Sequence, residues 1–249
     1  MTKPEERLQT LVRDMSTALG ANLRSILLYG SAARGDHAGA NSDFNVMVVV
    51  VDGSPEALEP AAPVQKKWVR GRNPPFLIVT AEWILNSTDV FPLEFTDMVA
   101  AHRMLLGESP LSGVRVSDAH LRHQCEHEIR SIVLRLRAAY LDAHRKASQL
   151  EGLLITSFGS VATVARAALR LSGEAVPARN EELFDALARR FGLSAPALRA
   201  AAEIKHGRRE KDRRKMKRIF LDWFDQVAAL GRALDAVGSA APGPSGQEH

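Results

Sequence analysis

Hydrophobic positions recur at two different spacings along this chain, and the change from one to the other is abrupt. Leu8, Leu11, Val12, Met15 and Leu19 lie three or four residues apart, which predicts an amphipathic helix over residues 5–19 with Gly20 as its C-cap. Ser25-Ile26-Leu27-Leu28-Tyr29 is a short apolar run that reads as a buried strand. Phe44 to Val51 is β-branched and almost wholly apolar, the pattern of a central strand covered on both faces. A helix is expected around Pro55–Val69, a strand at Phe76–Val79 after Pro74-Pro75, and a short helix carrying Trp83. Phe91 to Val99 reads as a further strand, with Pro92 near its start where a missing N–H is tolerated.

From Asp118 onward only the helical spacing remains, with helices expected near 118–145, 147–172, 180–191, 195–206 and 210–237. Gly173, Pro177 and Gly192 supply breaks. Strands first and helices later imply an α+β domain over 1–117, then an all-helical domain over 118–238. The Gly-, Ser-, Pro- and Ala-rich tail 239–249 is expected to be disordered.

Composition narrows the class. The chain has 249 residues, 45% apolar and 25% charged, the mix of a soluble globular protein. Its longest apolar run, Val46 to Val51, is too short to span a bilayer, and the first residues do not read as a signal peptide, so no membrane partner is expected. A single cysteine, Cys125, excludes an internal disulfide framework and a multi-cysteine zinc site, and the implied compartment is a reducing cytoplasm. The net charge of +4 is unevenly spread: residues 1–117 carry 11 basic against 13 acidic side chains. Lys205 to Arg218 alone hold nine basic and two acidic residues, so an anionic partner is expected there first.

Chemistry concentrates in Leu28-Tyr29-Gly30-Ser31-Ala32-Ala33-Arg34-Gly35-Asp36, followed by Asn41-Ser42-Asp43-Phe44-Asn45-Val46. A strand ending at Tyr29 and a helix beginning near Ser31 would offer backbone N–H groups and a hydroxyl to phosphate. Residues 43 and 45, two apart on the next strand, point to one face. With two oxygen-bearing side chains beside a phosphate cradle, a Mg²⁺ site is expected here.

Gly-Ser, a small-residue spacer, then Ser-Asp-x-(Asp) entering an apolar strand resembles the nucleotidyltransferases of the polymerase-β type, and most of all the aminoglycoside adenylyltransferases. The resemblance implies a mixed-sheet domain carrying the motif, followed by a helical domain. It implies transfer of a nucleoside monophosphate, AMP, from a nucleoside triphosphate to a hydroxyl of a small molecule. It assigns Gly30, Ser31, Arg34 and Ser42 to the nucleotide, Asp43 and Asn45 to Mg²⁺, and Lys205, from the helical domain, to the triphosphate. Pro92-Leu93-Glu94-Phe95-Thr96 resembles the family's Leu-Glu-x-Thr strand, whose Glu is the general base, so that role is carried to Glu94. On a regular strand Asp97 would face the other way.

Position 45 departs from the pattern. The family has Asp-x-Asp, whereas here Asp43-Phe44-Asn45 puts one neutral amide oxygen where a carboxylate bridges two ions. Three readings remain open: an active enzyme with one well-held metal, a nucleotide-binding regulatory protein without turnover, or a substitution introduced into an active enzyme. A transferase acting, antitoxin-like, on a protein is a further alternative.

Other features read as structural. His120, His123 and His127 share a helix face and read as solvated or interfacial rather than a zinc site. Cys125 reads as a small buried residue. No aromatic residue interrupts Lys205–Arg218, so a stacking platform for single strands is absent and nucleic acid is not an expected partner.

Overall fold

A computed structural model describes residues 3–35 and 44–239. The chain divides into two compact units, Met1–Ser117 and Asp118–His249.

The first unit is built on a four-stranded mixed sheet. Helix α1 (Lys3–Leu19) leads into β1 (Leu23–Tyr29), and β2 (Asn45–Val50) follows. Next come α2 (Pro55–Leu58) and α3 (Ala62–Arg70), separated by a short 3-10 turn at Glu59–Ala61. Pro60 and Pro63 fall where the helix expected over 55–69 is interrupted, because a proline ring cannot donate to the preceding turn. The unit then runs through β3 (Leu77–Thr80), α4 (Ala81–Leu85), α5 (Pro92–Ala100) and β4 (His102–Leu106). The strand order is β3-β2-β1-β4, with β1 antiparallel to both neighbours and β2 parallel to β3.

Alternation gives the sheet two faces. Ile26, Leu28, Val46, Val48 and Val50 join Leu8, Leu11, Met15 and Trp68 in a core under α1 and α3. Leu27, Met47, Val49 and Val79 join Ile84, Phe95 and Met98 on the opposite face, under α4 and α5.

The segment expected as a strand over Phe91–Val99 is a helix, α5. Pro92 occupies the first turn, where its fixed φ suits a helix and its missing N–H costs nothing, and Glu94 sits favourably near the positive helix end. The buried residues Pro92, Phe95 and Met98 lie three apart, a helical spacing. The fourth strand is instead β4, with His102 and Met104 less exposed than Arg103 between them.

Among the described residues the second unit holds five helices: α6 (Asp118–Ala143), α7 (Ala147–Leu171), α8 (Asn180–Phe191), α9 (Ala195–Lys205) and α10 (Arg213–Ser239). α6, α7 and α10 pack mutually around Phe158 and Trp223, which stack at 5.4 Å, and the indole N–H of Trp223 donates to Ser157 Oγ. Gly192 caps α8 at φ +67, a left-handed conformation that glycine adopts without strain. Asp212 accepts the backbone N–H groups of Arg214 and Lys215 at the start of α10, which holds its carboxyl below the ordinary range. Among the described helices, α7 is long and apolar enough to cross a membrane by length and composition, and half of its most apolar window is buried within the protein.

Candidate functional site

Three side chains line up across one end of the sheet. Tyr29, the last residue of β1, pairs with Asn45 of β2 and with His102 of β4. Directly paired residues of antiparallel strands project to the same face, so all three lie on the α5 side. Burial pushes the Tyr29 hydroxyl pKa up, and the Glu94 carboxylate adds to the rise. Glu94, in the first turn of α5, is exposed and near enough to act on Tyr29. His102 Nδ1 donates to the Met98 carbonyl at 2.9 Å, and Nε2 is hydrogen-bonded with Ser109 Oγ at 3.1 Å.

The chain leaves β1 through Gly30, which has φ +78. A Cβ there would be strained by that φ and would approach Asn45 Nδ2 to 3.0 Å. Glycine is therefore what lets the turn pass under the Asn45 amide. The Gly30 carbonyl accepts from the N–H groups of Ala33 and Arg34, and the N–H groups of Ser31 and Ala32 lie outside that pair of bonds. The expected helix near Ser31 is, over the described residues, a turn spanning residues 31–35. Successive N–H groups in a turn can bind anions, which keeps Ser31 and Ala32 as the candidate phosphate donors.

Two further contacts hold this corner. Arg34 Nη1 donates to Asp97 Oδ1 at 2.7 Å, both side chains being largely buried, which ties the turn to α5. Arg34 Nε has no hydrogen-bond partner among the described residues. Asn73, also buried, accepts from the Phe44 N–H and donates to the Trp68 carbonyl, fixing the residue that enters β2.

Asn45, Gly30 and Ser31 thus meet at one corner, with Glu94 beside Tyr29 on the same sheet face. Asp43 and Ser42 lie outside the described residues. Arg34 lies at the same corner, with one guanidinium nitrogen donating to Asp97. The opposed faces expected for Glu94 and Asp97 do not occur, because on a helix residues three apart share a side. Lys205 is exposed at the end of α9 in the second unit. Of its basic neighbours, Arg208 pairs with Glu203 and Arg209 with the buried Glu151. His120, His123 and His127 are all exposed and Cys125 is buried. Tyr29, His102 and Asn73 were missed by sequence reasoning. Tyr29 had a signal, as the last residue before the Gly-Ser turn, whereas the other two had none of this kind.

Among the described residues no three His, Cys, Asp or Glu side chains gather as metal ligands. The donor at position 45 is a neutral amide, and a hard Mg²⁺ ion prefers charged oxygen. Of the expected Mg²⁺ pair, Asn45 is the member within the described residues, and it offers a neutral oxygen.

The chain is similar to a solved structure, spectinomycin adenyltransferase AAD(9) from Enterococcus faecialis with ATP and spectinomycin. The TM-score is 0.59 at 12% sequence identity, over 93% of this chain and 99% of that one. The likeness shows that this chain shares the fold of that adenyltransferase, a mixed-sheet unit followed by a helical one. No protein-family model matches the sequence, and no curated protein matches it at a significant level. Of the described motif residues, Gly30 and Asn45 meet beside Tyr29.

Proposed function

We propose that this protein is a cytoplasmic nucleotidyltransferase that binds a nucleoside triphosphate, ATP, at the Gly30–Ser31 turn and passes AMP slowly to a hydroxyl of a small molecule. The observation that carries the reading is the placement of Asn45 against Gly30, on the face that α5 covers with Glu94. Backbone N–H groups of Ser31 and Ala32 hold phosphate oxygens. The acceptor oxygen attacks the α-phosphorus as the bond to the β-phosphate breaks, pyrophosphate departs, and the hydroxyl proton passes to Glu94. An acceptor hydroxyl must come within about 3 Å of that carboxylate. The solved relative in this fold was captured with ATP and spectinomycin, which supports a nucleotide and a small hydroxylated acceptor as the pair to test first.

Asn45 favours a second reading, nucleotide binding without turnover. Removing a comparable electrostatic stabiliser costs roughly 10²–10³ in rate. The two readings separate in a pyrophosphate-release assay over a panel of aminoglycosides and small alcohols, with Mg²⁺ or Mn²⁺, for the wild type and Asn45→Asp. Slow wild-type release that rises in Asn45→Asp supports the transferase. Release in neither protein supports the binding protein. Fast Mg²⁺-dependent release by the wild type would remove position 45 from the explanation.

A further inference from the structure

A cavity of about 480 Å³ lies within the first unit, between α1 and α3, on the sheet face away from Asn45 and Glu94. Its volume is in the range of roughly 300–1,000 Å³ that small-molecule sites occupy. Leu11, Val64 and Trp68 give it an apolar floor, and two acids and two bases line the rest. Of these four, Lys67 and Asp14 neutralise one another at 2.8 Å. Glu6 and Arg7 form no ion pair among the described residues, and Glu5 beside them is taken up by Arg103. The lining therefore keeps one carboxylate and one guanidinium to offer.

The guanidinium is held in place beforehand. Arg7 lies over the Phe44 ring at 5.5 Å and the Trp68 ring at 5.9 Å, and it donates to the Gly71 carbonyl at 3.2 Å. Asn73 bonds to both the Phe44 N–H and the Trp68 carbonyl, which fixes the backbone that carries those rings. Position 71 keeps room for this arrangement. Gly71 has φ −77, a negative value that any residue can adopt, whereas Arg72 after it has φ +62, where glycine would be the unstrained choice. Glycine at 71 does not serve the backbone angle. It serves space, because a Cβ there would come to 3.0 Å from Arg7 Nη2. A cation positioned before binding costs a ligand little further ordering.

We propose that this cavity binds a free α-amino acid with an apolar or aromatic side chain. The ammonium pairs with Glu6, the carboxylate takes the remaining N–H groups of Arg7, and the side chain enters the floor of Leu11, Val64 and Trp68. Both charges are needed. A simple carboxylate would meet Glu6 as a like charge, an amine would meet Arg7 as one, and an uncharged ligand would leave both unanswered. The inference stands apart from the nucleotidyltransferase reading, since the cavity and the Gly30–Asn45 corner lie on opposite faces of the sheet.

The test is calorimetry and ligand-observed NMR on the full-length protein without nucleotide. The probes are L-phenylalanine, hydrocinnamate, which lacks the ammonium, and phenethylamine, which lacks the carboxylate. Phenylalanine should bind about fivefold or more tighter than either analogue. Glu6→Gln should weaken phenylalanine and phenethylamine but not hydrocinnamate. Glu6 is exposed in the first turn of α1, so the melting curve of this variant should match the wild type. Gly71→Ala, which crowds Arg7, should weaken phenylalanine and hydrocinnamate but not phenethylamine. No phenylalanine binding at millimolar concentration would overturn the proposal, and so would analogues that bind as tightly as phenylalanine. Variants that change nothing, or that weaken all three probes alike, would overturn the roles of Glu6 and Arg7 and the proposal with them.

Discussion

The two faces of the sheet are made by the same two strands, yet they end differently. On the α1/α3 face, Ile26 and Leu28 of β1 meet Val46, Val48 and Val50 of β2, apolar to the end of both strands. On the α5 face, Leu27 and Met47 begin the same way, but the last pair is Tyr29 with Asn45. A polar pair is tolerable there because the backbone turns away at Gly30 and leaves both residues half-buried. One face is a core throughout, and the other is a core that ends in a half-buried polar corner. A two-residue period lets neighbouring residues, Asn45 and Val46, serve the two purposes separately.

The comparison is sharpest when one chemical change is made on both faces. Val48→Asp puts a carboxylate into a fully buried position with no partner and should cost more than about 4 kcal/mol. Asn45→Asp, three residues earlier, should stay within about 1 kcal/mol of the wild type, because its position is half-buried at the strand end. Urea unfolding followed by tryptophan fluorescence and circular dichroism measures both. Equal losses would mean that the two faces do not differ as described.

A smaller effect is expected at the contact that ties the turn to α5. Arg34→Met leaves Asp97 mostly buried without its cation and should cost about 3 kcal/mol, the low end for a broken buried pair because water still reaches Asp97. Asp97→Leu added to Arg34→Met should recover much of the loss, since two apolar groups can replace a buried pair at little cost. If the double variant is no better than Arg34→Met alone, the pair is not what Arg34 contributes.

What the residues revealed in advance follows from the range of the forces involved. The helices of the second unit follow from a local 3.6-residue rhythm, and their observed bounds lie within three residues of the expected ones. The first three strands were legible because Ile26–Tyr29, Val46–Val50 and Leu77–Val79 are apolar and bounded by turn residues. The segment Pro92–Ala100 was misread because Leu93, Glu94 and Phe95 in sequence satisfy the two-residue alternation as well as a helical one. Packing of Phe95 and Met98 against Leu27 and Met47 decides between them, and that information is tertiary. Within the site, the Gly30–Ser31 turn and Asn45 were legible because they sit in one short stretch. The pairing of Tyr29 with His102 and of Arg34 with Asp97 joins residues more than sixty positions apart, which no local spacing encodes.

The smallest effect is the most informative about whether the half-polar face is one site. Burial, and then the Glu94 carboxylate, raise the Tyr29 pKa in the folded state. An unfolded tyrosine titrates near about 10. Below that pH both states keep the proton and the stability is whole. As pH rises through the unfolded value and on toward the raised folded one, the unfolded chain loses its proton first and stability falls. Tyr29→Phe should remove that alkaline decline, measured as unfolding midpoints against pH. Tyrosinate absorbance then isolates Tyr29 as the difference between the wild type and Tyr29→Phe, because Tyr140 is the only other tyrosine. Glu94→Gln should move that titration toward the ordinary value but leave it raised, since burial is the larger cause and stays in place. Asn45→Asp, a new carboxylate on the paired strand, should move it the other way. Opposite shifts from positions 94 and 45, read on the ring between them, would place all three side chains in one electrostatic environment. An unchanged titration in Glu94→Gln would detach Glu94 from the row, and with it the base in the proposed transfer.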